Sequence, residues 1–216
     1  MRGPLGFDQL VDTKYVRQLG HRYAKNQRNK SCVTNSGNGI YSWGTAFSNN
    51  ILRAGKHYVE FTSHGYNNSS NFFVGVMRPG KANENARRTP VEKSFFQHFS
   101  RLGHGEDNNN SVHCCLYGAS LGYCVSSDWG DSYTPDVDQT WEGSESMFSD
   151  GEIGLLLDLD EGSLTVYKNG QKLGVMKRGL TGPYCWVASM SNGVQMTIKR
   201  GTIVVDVKGK MWRWMV

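Results

Sequence analysis

The chain of 216 residues contains no run of roughly 18 apolar residues, the length a helix needs to cross a bilayer, so no membrane-spanning helix is predicted. Met1 to Gly6 supplies no apolar core for a secretory signal, which predicts a protein not exported by that route. Cysteine is scarce and odd in number: Cys32, Cys114, Cys115, Cys124 and Cys185 include no Cys-x-x-Cys pair. That pattern argues against a disulfide framework and a zinc site, and predicts reduced, buried thiols in a cytoplasmic or nuclear protein. Proline falls to 5 residues. From Leu102 to Tyr167 there is no Lys or Arg at all, while 13 of the 19 acids lie there. The net charge of +5 therefore comes from the flanks, where Arg17 to Lys30 (RQLGHRYAKNQRNK) is the one basic run. A nucleic-acid binder needs clustered cations with exposed aromatics; this run reads as a solvated face, and no nucleic-acid partner is predicted. No phosphate-binding loop is present either, since Gly37-Asn38-Gly39 leads into no helical pattern.

What the sequence does have is glycine, at 26 residues, and aromatics, at 12%, a composition suited to many strands joined by glycine turns. Gly151 to Met176 (GEIGLLLDLDEGSLTVYKNGQKLGVM) shows the pattern. Leu155, Leu157 and Leu159 alternate with Leu156, Asp158 and Asp160, the period of a strand. Glu161-Gly162 supplies a tight turn; Leu164, Val166 and Tyr167 run back; Asn169-Gly170 is a strong hairpin signal; Leu173, Val175 and Met176 begin a third strand. Three acids, Asp158, Asp160 and Glu161, gather at the tip of this meander. A calcium loop would need oxygen ligands at positions 1, 3 and 5 and glycine at 6. Counted from Asp158, the fifth position is Gly162 and the sixth Ser163, so no metal site is predicted. His113 and Cys114 are strand neighbours and point to opposite faces, which removes a Cys-His dyad. No catalytic residue and no cofactor is predicted.

Elsewhere, Phe7, Leu10, Val11, Tyr15 and Leu19 stand at near-helical spacing and predict a short amphipathic helix within residues 7–25. Strands are predicted within Gly39–Phe47, His57–Gly65, Asn71–Gly80, VHCCLYG, SLGYCVSS, Tyr184–Met190 and Val194–Arg200, with one or two more in IVVDVKGKMWRWMV. Residues 80–110 form a long, weakly hydrophobic loop insertion, in which two of Phe95, Phe96 and Phe99 are expected to pack onto the sheets. Residues 128–147 read as an acidic loop. Strand following strand without a long helix predicts an all-β, antiparallel sandwich. The expected division is an N-terminal extension, 1–39, and a sandwich domain, 40–216.

The segments AGKHYVEF, FFVGV, SLGYCVS, GEIGLLLDLDEGSLTVYKNGQKLGV, GLTGPYCWVAS and VQMTIK follow one another in the order and spacing of the SPRY family, which the chain resembles from about Ile40 to Arg200. The resemblance implies a bent two-sheet antiparallel sandwich that is not an enzyme and that captures a peptide or protein segment through loops at one edge. Carried over strand by strand, it implies a peptide-binding surface of Ser42, Trp43, Gly44 and Thr45, of Arg78 with Phe96, and of Met190, Ser191 and Asn192. Trp43 is the candidate anchor, since a loop aromatic makes a natural hot spot. Asp128 and Trp129 open the acidic loop; with Asp131, Asp136 and Asp138 they predict a basic partner segment through charge complementarity. The 80–110 insertion is longer than the family carries there, and no RING, SOCS-box or coiled-coil segment adjoins, so a ubiquitin-ligase role is not carried over. The alternative is a lectin-like or small-ligand-binding sandwich, with Trp43, Trp129 and Trp141 stacking on sugar rings. A monomer without membrane contact is expected.

Overall fold

Two kinds of strand are visible in the sequence, and they sort into different sheets. FFVGVM, CCLYG and CWVASM are continuous apolar runs, as expected of strands covered on both faces; KHYVEFTSH and QMTIKR alternate, as expected of strands covered on one. A computed structural model describes residues 5–11, 16–20, 28–37, 43–48, 50–66, 71–78, 114–127, 136–191, 193–201, 204–207 and 210–213. Its strands are β1 (Phe7–Val11), β2 (Val16–Gly20), β3 (Arg28–Asn35), β4 (Gly44–Ser48), β5 (Lys56–His64), β6 (Phe72–Met77), β7 (Cys114–Gly118), β8 (Cys124–Ser127), β9 (Asp136–Gln139), β10 (Glu152–Asp158), β11 (Ser163–Lys168), β12 (Gln171–Arg178), β13 (Cys185–Met190), β14 (Gln195–Arg200), β15 (Val204–Val207) and β16 (Lys210–Arg213).

These form two seven-stranded antiparallel sheets, ordered β1-β4-β13-β6-β7-β8-β9 and β12-β11-β10-β5-β14-β3-β2, and a separate β15-β16 hairpin. The sheets pack face to face over a core that includes Val74, Val76, Tyr117 and Trp186 from the first, and Val59, Phe61, Leu155, Leu157, Val166 and Ile198 from the second. Phe61 joins the two layers, its ring edge-on to Trp186 at 6.3 Å and 6.4 Å from Phe7. The continuous strands β6, β7 and β13 are buried at every position. Their other face carries a second apolar layer of Trp43, Phe47, Phe73, Met77, Leu116, Tyr123 and Val187. Close strand approach is enforced within this sheet: a methyl group at Gly75 would lie 2.1 Å from the Cys115 carbonyl oxygen.

The meander is as expected, β10 to β12, with Leu155, Leu157, Leu164 and Val166 inward. Its second turn places Asn169 at φ 50° and Gly170 at φ 80°, the left-handed pair a two-residue hairpin requires.

Three expectations are corrected. Among the described residues there is no helix. Where one was expected within residues 7–25, Phe7–Val11 and Val16–Gly20 are strands; β1 pairs with β4 and buries Phe7, so non-local pairing overrides a helix-like spacing. Residues 1–39 are accordingly no simple extension: β1 joins the first sheet and β2 and β3 the second. Within the acidic loop, Asp136–Gln139 forms edge strand β9 against β8. The 80–110 insertion, with Phe95, Phe96 and Phe99, lies outside the described residues, as does His113.

Candidate functional site

Register divides the expected site residues between two ends of the sandwich. Met190 pairs with Gly44 and Phe72, whereas Cys185 pairs with Met77 at the far end of the same strands. In the second sheet His64, Gln195 and Thr34 share the Met190 end.

Side chains tie the loops of this Met190 end together across both sheets. The Asn35 side-chain amide donates to the Met190 carbonyl at 2.7 Å, and its oxygen accepts from the Gly37 N–H at 2.7 Å. Asn71 donates its N–H to the Ser191 hydroxyl at 2.9 Å and its amide to the Ser120 hydroxyl at 3.1 Å. The Asp150 carboxylate accepts from the N–H groups of Gly65 and Tyr66 at 3.1 and 2.7 Å. Met147 N–H donates to the Ala119 carbonyl at 2.8 Å, while the Trp141 indole and the Ser144 hydroxyl both donate to the Gly122 carbonyl. Lys168 pairs with Glu145. These hydrogen bonds fix the backbones of the connected segments relative to one another.

The expected site residues take these positions. Trp43 is only 8% exposed and its ring packs 5.6 Å from Phe73, in the outer apolar layer of the first sheet. Gly44 and Thr45 are buried in β4, the Thr45 hydroxyl 3.0 Å from that of Ser189. Met190 is fully buried, and Ser191 is buried and engaged with Asn71. These five are brought together, but as the packed floor of the end and not as its surface. Arg78 is not among them: it lies a strand length away, roughly 20 Å at ordinary strand rise, its guanidinium donating to the Thr181 carbonyl and standing 5.7 Å over the Tyr184 ring. Ser42, Phe96, Asp128, Trp129, Asp131 and Asn192 lie outside the described residues. Asp136 and Asp138 are placed by β9 on the edge of the first sheet.

Two residues of this end were missed. Leu121 and Phe148 are large apolar side chains 66% and 79% exposed. The available signal was a large apolar residue in a Ser/Gly/Asp-rich loop, as in ASLG and MFSD.

Two of the three acids of the meander tip, Asp158 and Asp160, make structural contacts. Asp158 lies 2.7 Å from the Lys56 ammonium and accepts the N–H groups of Asp160 and Glu161 at 3.1 and 3.2 Å, closing the turn. Burial pushes its carboxyl up, but Lys56 and the two N–H groups outweigh burial and hold it below the usual carboxylate range. Asp160 accepts the Gly55 N–H. Among the described residues no cluster of three His, Cys, Asp or Glu can hold a metal ion. The thiols of Cys115 and Cys124 lie 3.8 Å apart; the contact with Cys124, together with burial, pushes the Cys115 thiol up. Burial pushes Cys185 up to about 12.

A two-sheet antiparallel sandwich with hydrogen-bonded loops at one end is therefore the class of protein. No protein-family model matches the chain, and no curated protein matches it. Among solved structures, the SPRY domain of human HERC1 superposes with a TM-score of 0.53 at 15% identity, over 88% of this chain and 97% of that one. The TRIM65 PSpry domain gives 0.48 at 16% identity, over 92% and 90%. The carbohydrate recognition domain of Emp46p gives 0.49 at 11% identity, over 89% and 88%. The chain has an SPRY-like fold.

Proposed function

We infer that this chain is a non-enzymatic interaction module whose Met190 end captures a peptide or protein segment. The observation that carries the reading is the rim itself, loops of both sheets cross-tied by Asn35, Asn71, Asp150 and Ser191, with large apolar side chains left outward on it. Catalysis finds no support in the meander tip, where Asp158 is engaged in holding the turn and Asp160 in accepting the Gly55 N–H. Sugar stacking draws little support from the tryptophans: Trp43 is packed in a core layer, and Trp141 donates its N–H to Gly122 while its ring fits against Gly143 and Gly174. Buried free thiols suit the reducing compartment, cytoplasm or nucleus, that we assign to the protein.

The test is to pan the immobilised protein against a display library of random linear peptides and to probe a glycan array in parallel. Recurrent peptides that bind in solution as synthetic ligands, with no glycan retained, are the expected result. Glycan binding without peptide enrichment would overturn the reading in favour of a lectin.

A further inference from the structure

The exposure of Leu121 and Phe148 is built into the loops that bear them. Phe148 follows Met147, whose N–H is bound to Ala119, and whose side chain is buried in the core. Leu121 precedes Gly122, whose carbonyl is held by Trp141 and Ser144. The two segments touch along their backbones: at Gly122, φ 70°, an added methyl group would lie 2.4 Å from the Glu145 backbone. Anchored in this way, neither residue can turn inward without breaking the contact between the loops. Single exposed apolar side chains are common on protein surfaces; here two large ones are held outward on segments whose backbones touch.

Charge narrows the partner. The two segments, 118–123 and 141–152, carry Glu142, Glu145, Asp150 and Glu152 and not one Lys or Arg. Lys168 answers Glu145, Lys199 answers Glu152, and backbone N–H groups answer Asp150, whereas Glu142 stands exposed on the rim. The exposed Lys172 lies on the strand β12 packed against Gly143, so the acidic excess of these two segments is modest; it favours a partner that carries cations over one that carries phosphates.

We propose that Phe148 and Leu121 form the docking surface for a peptide segment in which an aromatic or aliphatic side chain is flanked by Lys or Arg. The proposal rests on the peptide-capture reading above, and adds the contact residues and the chemistry of the partner. The apolar side chain of the partner covers Phe148 and Leu121; its cations meet the exposed Glu142, which acts mainly on association.

The experiment pans the wild-type protein against random linear peptides and measures a synthetic copy of the most enriched one against three proteins: wild type, the Phe148→Ser/Leu121→Ser double variant, and Glu142→Gln. Both replaced apolar side chains are exposed, so the double variant should melt with the wild type, which thermal denaturation checks. Enriched peptides are expected to carry an apolar residue beside Lys or Arg, and to bind the double variant about tenfold or more weakly. Glu142→Gln is expected to slow association and flatten its salt dependence. Equal binding to wild type and double variant, or enriched peptides without cations, overturns the proposal and leaves peptide capture standing at some other surface. Absence of any enriched peptide overturns both. Dimerisation of the wild type that the double variant abolishes in sedimentation, or binding to anionic vesicles that it abolishes, would assign the surface to a second copy or to a membrane and overturn the proposal.

Discussion

Replacing Asp158 by Ala removes the acceptor at the centre of the β10-β11 turn. Asp158 is 4% exposed, and its carboxylate receives two backbone N–H groups as well as the Lys56 ammonium. The half-exposed Lys56 is free to move into solvent, and its pairing contributes little on its own. The two N–H groups belong to a turn whose backbone cannot rearrange so easily. Hydrogen bonds to a charged acceptor are each worth about 1.5–3 kcal/mol net, and water recovers part of that in a turn, so Asp158→Ala should destabilise by about 2 kcal/mol. For a chain of this length that is roughly 4–8 °C in Tm. The sign of the pH effect follows from the lowered carboxyl. A group with a folded pKa below its unfolded one contributes stability that is fully present above the unfolded value, near 4 for Asp, and that is lost as pH falls through the folded value. The gap between wild type and Asp158→Ala should therefore be widest above about pH 5 and close on acidification below pH 4. Melts followed by circular dichroism at several pH values, with and without chelator, read this directly. A gap under 1 °C at neutral pH, a gap that does not narrow in acid, or a wild-type Tm lowered by the chelator would each refute this account of the turn.

Trp43→Ala should destabilise by about 3 kcal/mol through loss of packing on Phe73, measured by denaturant unfolding, with the remaining folded protein binding its peptide normally. A stable Trp43→Ala protein that has lost its peptide would make Trp43 an anchor after all. Cys115 and Cys185, buried and with thiols pushed up by the Cys124 contact and by burial respectively, should resist iodoacetamide at pH 8 in the native protein and react once it is unfolded. Mass spectrometry follows the labelling, and fast native modification of either would contradict the packing around β7 and β13.

How far the fold was legible depended on whether local chemistry or non-local pairing decides each element. Glu161-Gly162 and Asn169-Gly170 announce their turns because few residues tolerate positive φ, so β10 to β12 could be placed from a single stretch. The N-terminal strands could not. Phe7, Leu10 and Val11 suit a helix by spacing, and only the partner strand β4, nearly forty residues away, makes Phe7–Val11 a strand. Asp136-Val137-Asp138-Gln139 has poor strand propensity and pairs because β8 presents a free edge. Among the candidate site residues, order and spacing located Trp43, Thr45, Met190 and Ser191 at one end, but could not tell floor from rim. A tryptophan ahead of a strand looks the same in either place; the ring it packs on is Phe73 of β6, itself edge-on to Tyr123 before β8, far along the chain.

The same distinction between strands constrains where a partner can bind. The first sheet offers no open apolar face at its centre, since its inner residues meet the second sheet, and Phe47, Phe73, Met77, Leu116 and Val187 on the other side are buried too. The second sheet turns its other face outward, and around β5, β10 and β11 that face is occupied by its own contacts. Tyr58 lies over Gly154, where a methyl group would come 2.1 Å from its hydroxyl, and meets the Tyr167 ring edge-on at 5.5 Å. Beside it Lys199 bridges Glu60 and Glu152 at 2.9 and 3.0 Å. Apolar surface left to drive association must then come from loops. Among the described residues the exposed large hydrophobic side chains are Ile51, Leu121 and Phe148. Ile51 adjoins Leu52, which bridges to Tyr184 at the Arg78 end; the other two share the Met190 end with the cross-tied rim. Among the described residues the central faces of both sheets are thus taken up by the protein's own contacts, and the cross-tied loops of the Met190 end are where Phe148 and Leu121 are left in water, which is why the proposed docking is placed there.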